Sequence, residues 1–240
     1  MRLLLPPSET KAVGGVGAPL DLELLAFDEL SGTRRTLVGA LAKLGTNPER
    51  ALGVLGLSRR QLAELEWNTR LRTAPTMPAL TRYTGVLYDA LDAVSLPAAA
   101  RRRARAHVLI CSALFGALRP DDPIPAYRLS GATTMPGLGT LASIWKPVLR
   151  DALRSDEPII DLRSGPYVAL APIPEAITVR VVDAHGRSIS HHNKAAKGHL
   201  VRAYLGTPRE PRTVQSLIRA GVDAGLAITQ ITDTALEIRV

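Results

Sequence analysis

The feature that most constrains the fold is a change of rhythm near residue 154. Before it, apolar residues recur mainly at helical spacing. After it, the chain breaks into short β-branched runs separated by Pro or Gly: "PIIDLRS", "YVALAP", "ITVRVVDA", "RSISHH", "LAITQIT" and "ALEIRV". Helices alone or strands alone do not produce that pattern. It predicts a mixed α/β (α+β) protein, helical in its first half and sheet-rich in its second.

Residues 1–5 are expected to form a strand, edge or central, followed by a Pro-Pro loop that carries Ser8, Glu9 and Lys11. The glycine-rich stretch 12–19 lacks the spacing of a phosphate-binding GxxxxGK[ST] loop. Leu37, Leu41 and Leu44 predict a helix over 33–44. Asn47 and Pro48 open a short helix over 48–55, and Ser58 caps the next one. Helices are also expected over 78–93, 96–106, 138–154 and 211–223, with Leu138, Leu141, Trp145 and Leu149 as the stripe of the third. "HVLICSALFG" at 107–116 is a buried strand ending in a glycine turn, and 118–130 is too proline-rich for regular structure. These elements are expected to form one domain over 1–240, with a possible helical subdomain at 30–95.

No apolar run is long enough to cross a bilayer, and no signal peptide is visible in the sequence. Cys111 is the one cysteine. It rules out an internal disulfide and a Cys-based structural zinc site, and it fits a reducing cytoplasm. The net charge of +8 favours polyanionic partners. Arginine outnumbers lysine and the charge is dispersed apart from "ARRRARAH" at 100–107, so charge by itself carries little weight.

The densest chemistry lies in "SHHNKAAKGHLVRAYL", 190–205. On a helix starting near Asn193, Lys194 and Lys197 share the arc of Leu200, Val201, Tyr204 and Leu205. A solvated charged face would place them opposite. Lysines in a first turn also face the positive end of the helix dipole, a cost that suggests use. Both are therefore expected to line a cleft and hold a phosphate or carboxylate, against the plainer alternative that they snorkel to water. His191 and His192 are adjacent and lack a neighbouring carboxylate, so no metal site is expected; one of them offers a general base near neutrality, against the plainer alternative of a surface or core histidine.

"DLRSGPY" at 161–167 places Asp161, Ser164 and Tyr167 after a strand, where α/β proteins often carry site residues, although Ser-Gly-Pro is also ordinary turn chemistry. "RPDDPIPAYRLS" offers Arg119, Asp121, Asp122, Tyr127 and Arg128 on a stiff loop. "ALGVLGLSRRQLAEL" joins two helices through Gly53 and Gly56, with Arg59 and Arg60 at the second start, and resembles a helix–hairpin–helix module. No GxSxG elbow or Cys–His arrangement marks a hydrolase.

Taken together, "LLPPSETK", "RYTGVLYDAL", "SALFGALRPDDPIPAYRLS", "IWKPVL", "DLRSGPY" and "HHNKAAKGHLVRAYL" resemble the peroxide stress protein YaaA family. The resemblance implies a cytoplasmic protein of oxidative-stress defence, linked to limiting free iron. It also implies an α/β fold with a basic cleft, a helix–hairpin–helix element, and binding to duplex and distorted DNA. The cleft positions it implies are Lys11, Arg119, Tyr127, Arg128, Lys146, Asp161, Lys194, Lys197 and Arg202, with the DNA-facing hairpin at Gly53 to Arg60.

Two readings follow. One is a DNA-binding stress protein that needs no cofactor. The other is an enzyme acting on a phosphate- or nucleobase-bearing substrate, with Asp161 or His191 as base and Lys194 and Lys197 as electrostatic stabilisers.

Overall fold

Leu3, Leu4 and Leu5 have no exposed surface, so the first strand is central in its sheet, not at the edge. The computed structural model describes residues 1–187 and 189–240, the side chains of 190–192 excepted. In chain order the first half runs β1 (Arg2–Leu5), β2 (Gly17–Pro19), α1 (Ser31–Gly45), α2 (Pro48–Leu55), α3 (Leu62–Thr69), β3 (Pro75–Pro78), α4 (Ala79–Arg82), α5 (Val86–Leu91) and α6 (Ala98–His107). Then come β4 (Val108–Ser112), β5 (Gly116–Leu118), β6 (Pro123–Ile124), β7 (Thr134–Met135), β8 (Gly139–Thr140) and α7 (Leu141–Leu153). The remainder is β9 (Ile159–Asp161), α8 (Gly165–Val168), β10 (Ile177–Val182), α9 (Ser190–Gly206), α10 (Val214–Asp223), β11 (Ala227–Thr232) and β12 (Ala235–Arg239).

The main sheet is mixed, with strand order β11-β12-β10-β9-β1-β4-β5. β12, β10, β9, β1 and β4 are parallel, while β11 and β5 are antiparallel at the two edges. β1 thus has β4 on one side, with Leu5 beside Ile110, and β9 on the other, with Leu4 beside Asp161. Helical and strand residues, including Leu37 and Leu41 of α1, join one hydrophobic cluster.

Buried arginines tie the loops to this core. Arg34 of α1 is fully buried and donates to the carbonyls of Phe115, Phe27, Ala26 and Ala117 at 2.7–3.2 Å. Arg82 does the same for Ile124, Ala12, Gly14 and Pro75, which holds the glycine-rich stretch in place. Arg103 donates to the carbonyls of Tyr204, Leu205 and Thr207 at the end of α9.

Several expectations are corrected. "YVALAP" is not a strand: Val168 and Ala169 donate back to Ser164 and Gly165, and Pro166 is preset for a first helical turn. Of the expected strand "RSISHH", Ser188 lies outside the described residues and 190–192 are helical. Asp183 gathers the amides of His185 and Arg187 into a turn, and α9 is already helical at Ser190. The helix expected over 78–93 is two, parted at Gly85, whose φ of 95° no continuing helix adopts. Leu138 lies outside α7, in the turn between β7 and β8, and the helix begins at Leu141 behind a Thr140 cap. "HVLICSALFG" divides into the end of α6, β4 and the turn into β5. Among the described residues no helix is long and apolar enough to cross a membrane.

Candidate functional site

The connection leaving β1 leads towards β4, whereas that leaving β9 leads towards β10 on the other side. The chain therefore diverges above the carboxyl ends of these two neighbours, where open α/β sheets form their binding crevice. A cleft of about 770 Å³ lies there. Pro6 to Thr10 line it from the loop after β1, and Leu162 to Tyr167 from the segment after β9. Thr84 to Tyr88 close it from the start of α5, Ser130 adds a hydroxyl, and Asn193, Lys194 and Lys197 form the α9 wall.

Lys194 and Lys197 both line this cleft, though not from a first turn. Because α9 begins at Ser190, both lie in its second and third turns, so the dipole argument at the helix start does not apply to them. Lys194 is exposed at the mouth. Lys197 is buried, 8% exposed, and its ammonium donates to the Leu162 carbonyl at 3.3 Å. Burial lowers its pKa, and the nearby Asp161 charge works in the opposite direction.

Asp161 cannot act as a free base in this arrangement. Arg163 grips both its oxygens, Nε at 2.9 Å and Nη2 at 2.7 Å, and the Arg163 amide adds a third bond at 3.0 Å. The two form a buried charge pair, with Arg163 in the cleft lining and Asp161 outside it. Glu9, the one acidic residue in the lining among the described residues, is itself held by Arg128. The two α9 ammonium groups are therefore the uncompensated charge of this cleft.

Lys11, Tyr127 and Arg128 lie beneath the loop after β1. Lys11 is 6% exposed, donates to the carbonyls of Ser8 (2.9 Å) and Glu9 (3.3 Å), and sits 4.1 Å from the Tyr127 ring centre. Burial pulls its pKa down to about 7. Tyr127 continues a buried hydroxyl chain, 2.8 Å from Tyr83 and 2.8 Å from Ser112. Arg128 pairs with Glu9 and with Glu64. These residues support the rim and do not line the cleft.

Three positions implied by the resemblance stand apart. Arg119 follows β5 at the opposite end of the sheet, over the Phe27 ring. Lys146 is exposed on α7, outside the lining. Arg202 donates to the carbonyls of Leu91 and Asp92 and fastens the end of α5, a favourable place for a cation. The side chain of His191 lies outside the described residues. Arg163 and the α5 start were not picked out as site residues from residue patterns. Their signal was weak, an arginine two positions after a strand-end aspartate and a glycine inside an apolar stretch.

The 53–60 region is a helical hairpin: Gly56 ends α2 in the left-handed conformation (φ 64°), and Ser58 and Gln61 cap the following turn. Arg59 pairs with Glu49, and Arg60 is exposed. Among the described residues, no three His, Cys, Asp or Glu side chains gather as a metal site.

A UPF0246 protein of Corynebacterium efficiens is 47% identical over 237 residues, covering 95% of this chain and 94% of that protein. One of Streptomyces coelicolor is 43% identical over 238 residues, covering 95% and 92%. An uncharacterized protein of Campylobacter jejuni is 28% identical over 207 residues. The family model described as peroxide stress protein YaaA matches residues 1–224, and this chain belongs to that family.

Proposed function

We propose that this protein serves the response to peroxide by binding nucleic acid, duplex or distorted, through phosphate contacts at the strand-end cleft. The observation that carries this reading is the pair Lys194 and Lys197. One ammonium stands at the mouth and the other is buried in the wall, and among the described residues no carboxylate in the lining is left to neutralise them. A buried ammonium without an ion-pair partner is costly and becomes favourable once an anion arrives. The left-handed Gly56 turn with Arg60 beside it supports a second phosphate contact of the helix–hairpin–helix kind.

The test is a Lys194→Ala, Lys197→Ala double variant assayed for binding to unrelated duplexes. The expected result is a loss of at least about tenfold on every sequence, since phosphate contacts carry no base information. Unchanged affinity in a folded variant overturns the reading.

The size of the cleft, about 770 Å³, supports a second, enzymatic reading on a phosphate- or nucleobase-bearing substrate. With Asp161 held by Arg163, that reading assigns Lys194 and Lys197 to electrostatic stabilisation and leaves the base to a hydroxyl or to His191.

A further inference from the structure

We infer that the cleft takes one nucleoside phosphate unit, its phosphate on the α9 lysines and its base against the apolar lining. This rests on the anion reading above and narrows it from phosphate in general to a phosphate carrying a base.

Size is the first argument. A space of about 770 Å³ suits a single small ligand and is far too small to admit a duplex. A strand lying across the mouth can insert one residue at most.

Polarity is the second. The unpaired charge of the cleft comes from α9, and its apolar lining includes Pro6, Tyr88, Pro166 and Tyr167. Tyr88 donates to the Pro6 carbonyl at 2.8 Å, and Tyr167 accepts from the Gly131 amide at 3.2 Å while keeping its own proton to donate. Both rings are largely buried, 5% and 8% exposed, and add their edges to the apolar surface of Pro6 and Pro166. Inorganic phosphate or a bare sugar phosphate would leave that surface wet. A flat base covers it, as bases held outside a helix are covered by aromatic and apolar side chains. Ser130 and Ser164 also line the cleft, and among the described residues neither hydroxyl has a hydrogen-bond partner, so both remain available to a sugar or base edge.

The same chemistry has two sources, a free nucleotide or a residue extruded from a strand. Calorimetric titration of the full chain with inorganic phosphate, deoxyribose 5-phosphate and the deoxynucleoside 5′-monophosphates tests the unit. Fluorescence of duplexes carrying 2-aminopurine tests extrusion. Nucleotides are expected to bind at least tenfold more tightly than the two base-free probes. Gly165→Phe adds a ring in open space at the cleft wall, since a Cβ there meets nothing within 4 Å. It is expected to lower nucleotide affinity tenfold while leaving inorganic phosphate within threefold.

A rise in 2-aminopurine signal on binding assigns the unit to a strand. Tight free nucleotides without that rise assign it to the nucleotide pool. If phosphate binds as well as any nucleotide and no duplex brightens, the base end is wrong and the anion site stands. If none of the small probes and no duplex binds, the anion reading falls as well.

Discussion

At the residue scale, opposed forces meet at Lys11. Burial disfavours its ammonium, while the Tyr127 and Tyr83 rings, 4.1 and 5.4 Å away, favour it. Arg128 and Arg82 add repulsion, and Glu9 and Glu64 add attraction. The balance lies at about 7, against 10.5 in a free chain. Between these values the unfolded chain holds more protons, so stability rises with pH across that window. The penalty is complete below pH 7 and is relieved above it. Lys11→Met therefore gains stability at pH 6.5 relative to its parent, and that advantage shrinks by on the order of 2 kcal/mol by pH 9. Thermal melts at both pH values check this; a constant difference shows that the ring faces dominate. The inward position of Lys197 was legible in the sequence, because a lysine on an apolar arc contradicts the usual pattern. The carbonyl-binding role of Arg34 was not, since its four acceptors include carbonyls up to 83 positions away.

At the element scale, α9 shapes the site through its contact with α5. Gly198 makes that contact possible: a Cβ there would lie 2.2 Å from the Leu87 carbonyl oxygen and 2.8 Å from the Ala90 methyl. The start of α5 carries one wall of the cleft, so the spacing of the two helices sets the width of the site. Gly198→Ala is expected to destabilise by about 1–3 kcal/mol and to weaken ligand binding in step, as read by chemical denaturation and by titration. Normal affinity in a variant that is clearly destabilised would show that helix spacing and cleft width are independent. Helices with clean stripes and caps, such as α1 and α2 with its Asn47 cap, follow from local sequence. The start of α9 and the helical turn of α8 do not. Their β-branched or small residues suit either state, and packing at the strand ends decides between them.

At the scale of the whole molecule, the net charge of +8 overstates what reaches a partner. Arg34, Arg82, Arg103, Arg163 and Arg202 are occupied by carbonyls or by Asp161. Composition cannot distinguish these from surface cations, which is why charge alone was a poor guide to function. Binding to duplex DNA should therefore fall with salt at a slope set by few phosphate contacts, and the double α9 variant should lower that slope by about two. A slope unchanged by the variant places those lysines off the phosphate path.

The central place of β1 has a consequence for how the chain is made. One flank of this strand is completed by β4, but the other waits for β9, whose Asp161 registers with Leu4. On the ribosome, the three leucines of a strand at residues 2–5 gain this second flank only once residues 159–161 of 240 have been made. Pairing across such a separation is slow, and an open ribbon of this kind attracts other nascent chains. The yield of native protein in a cell should thus depend on elongation speed and on holding chaperones more than on the stability of the finished sheet.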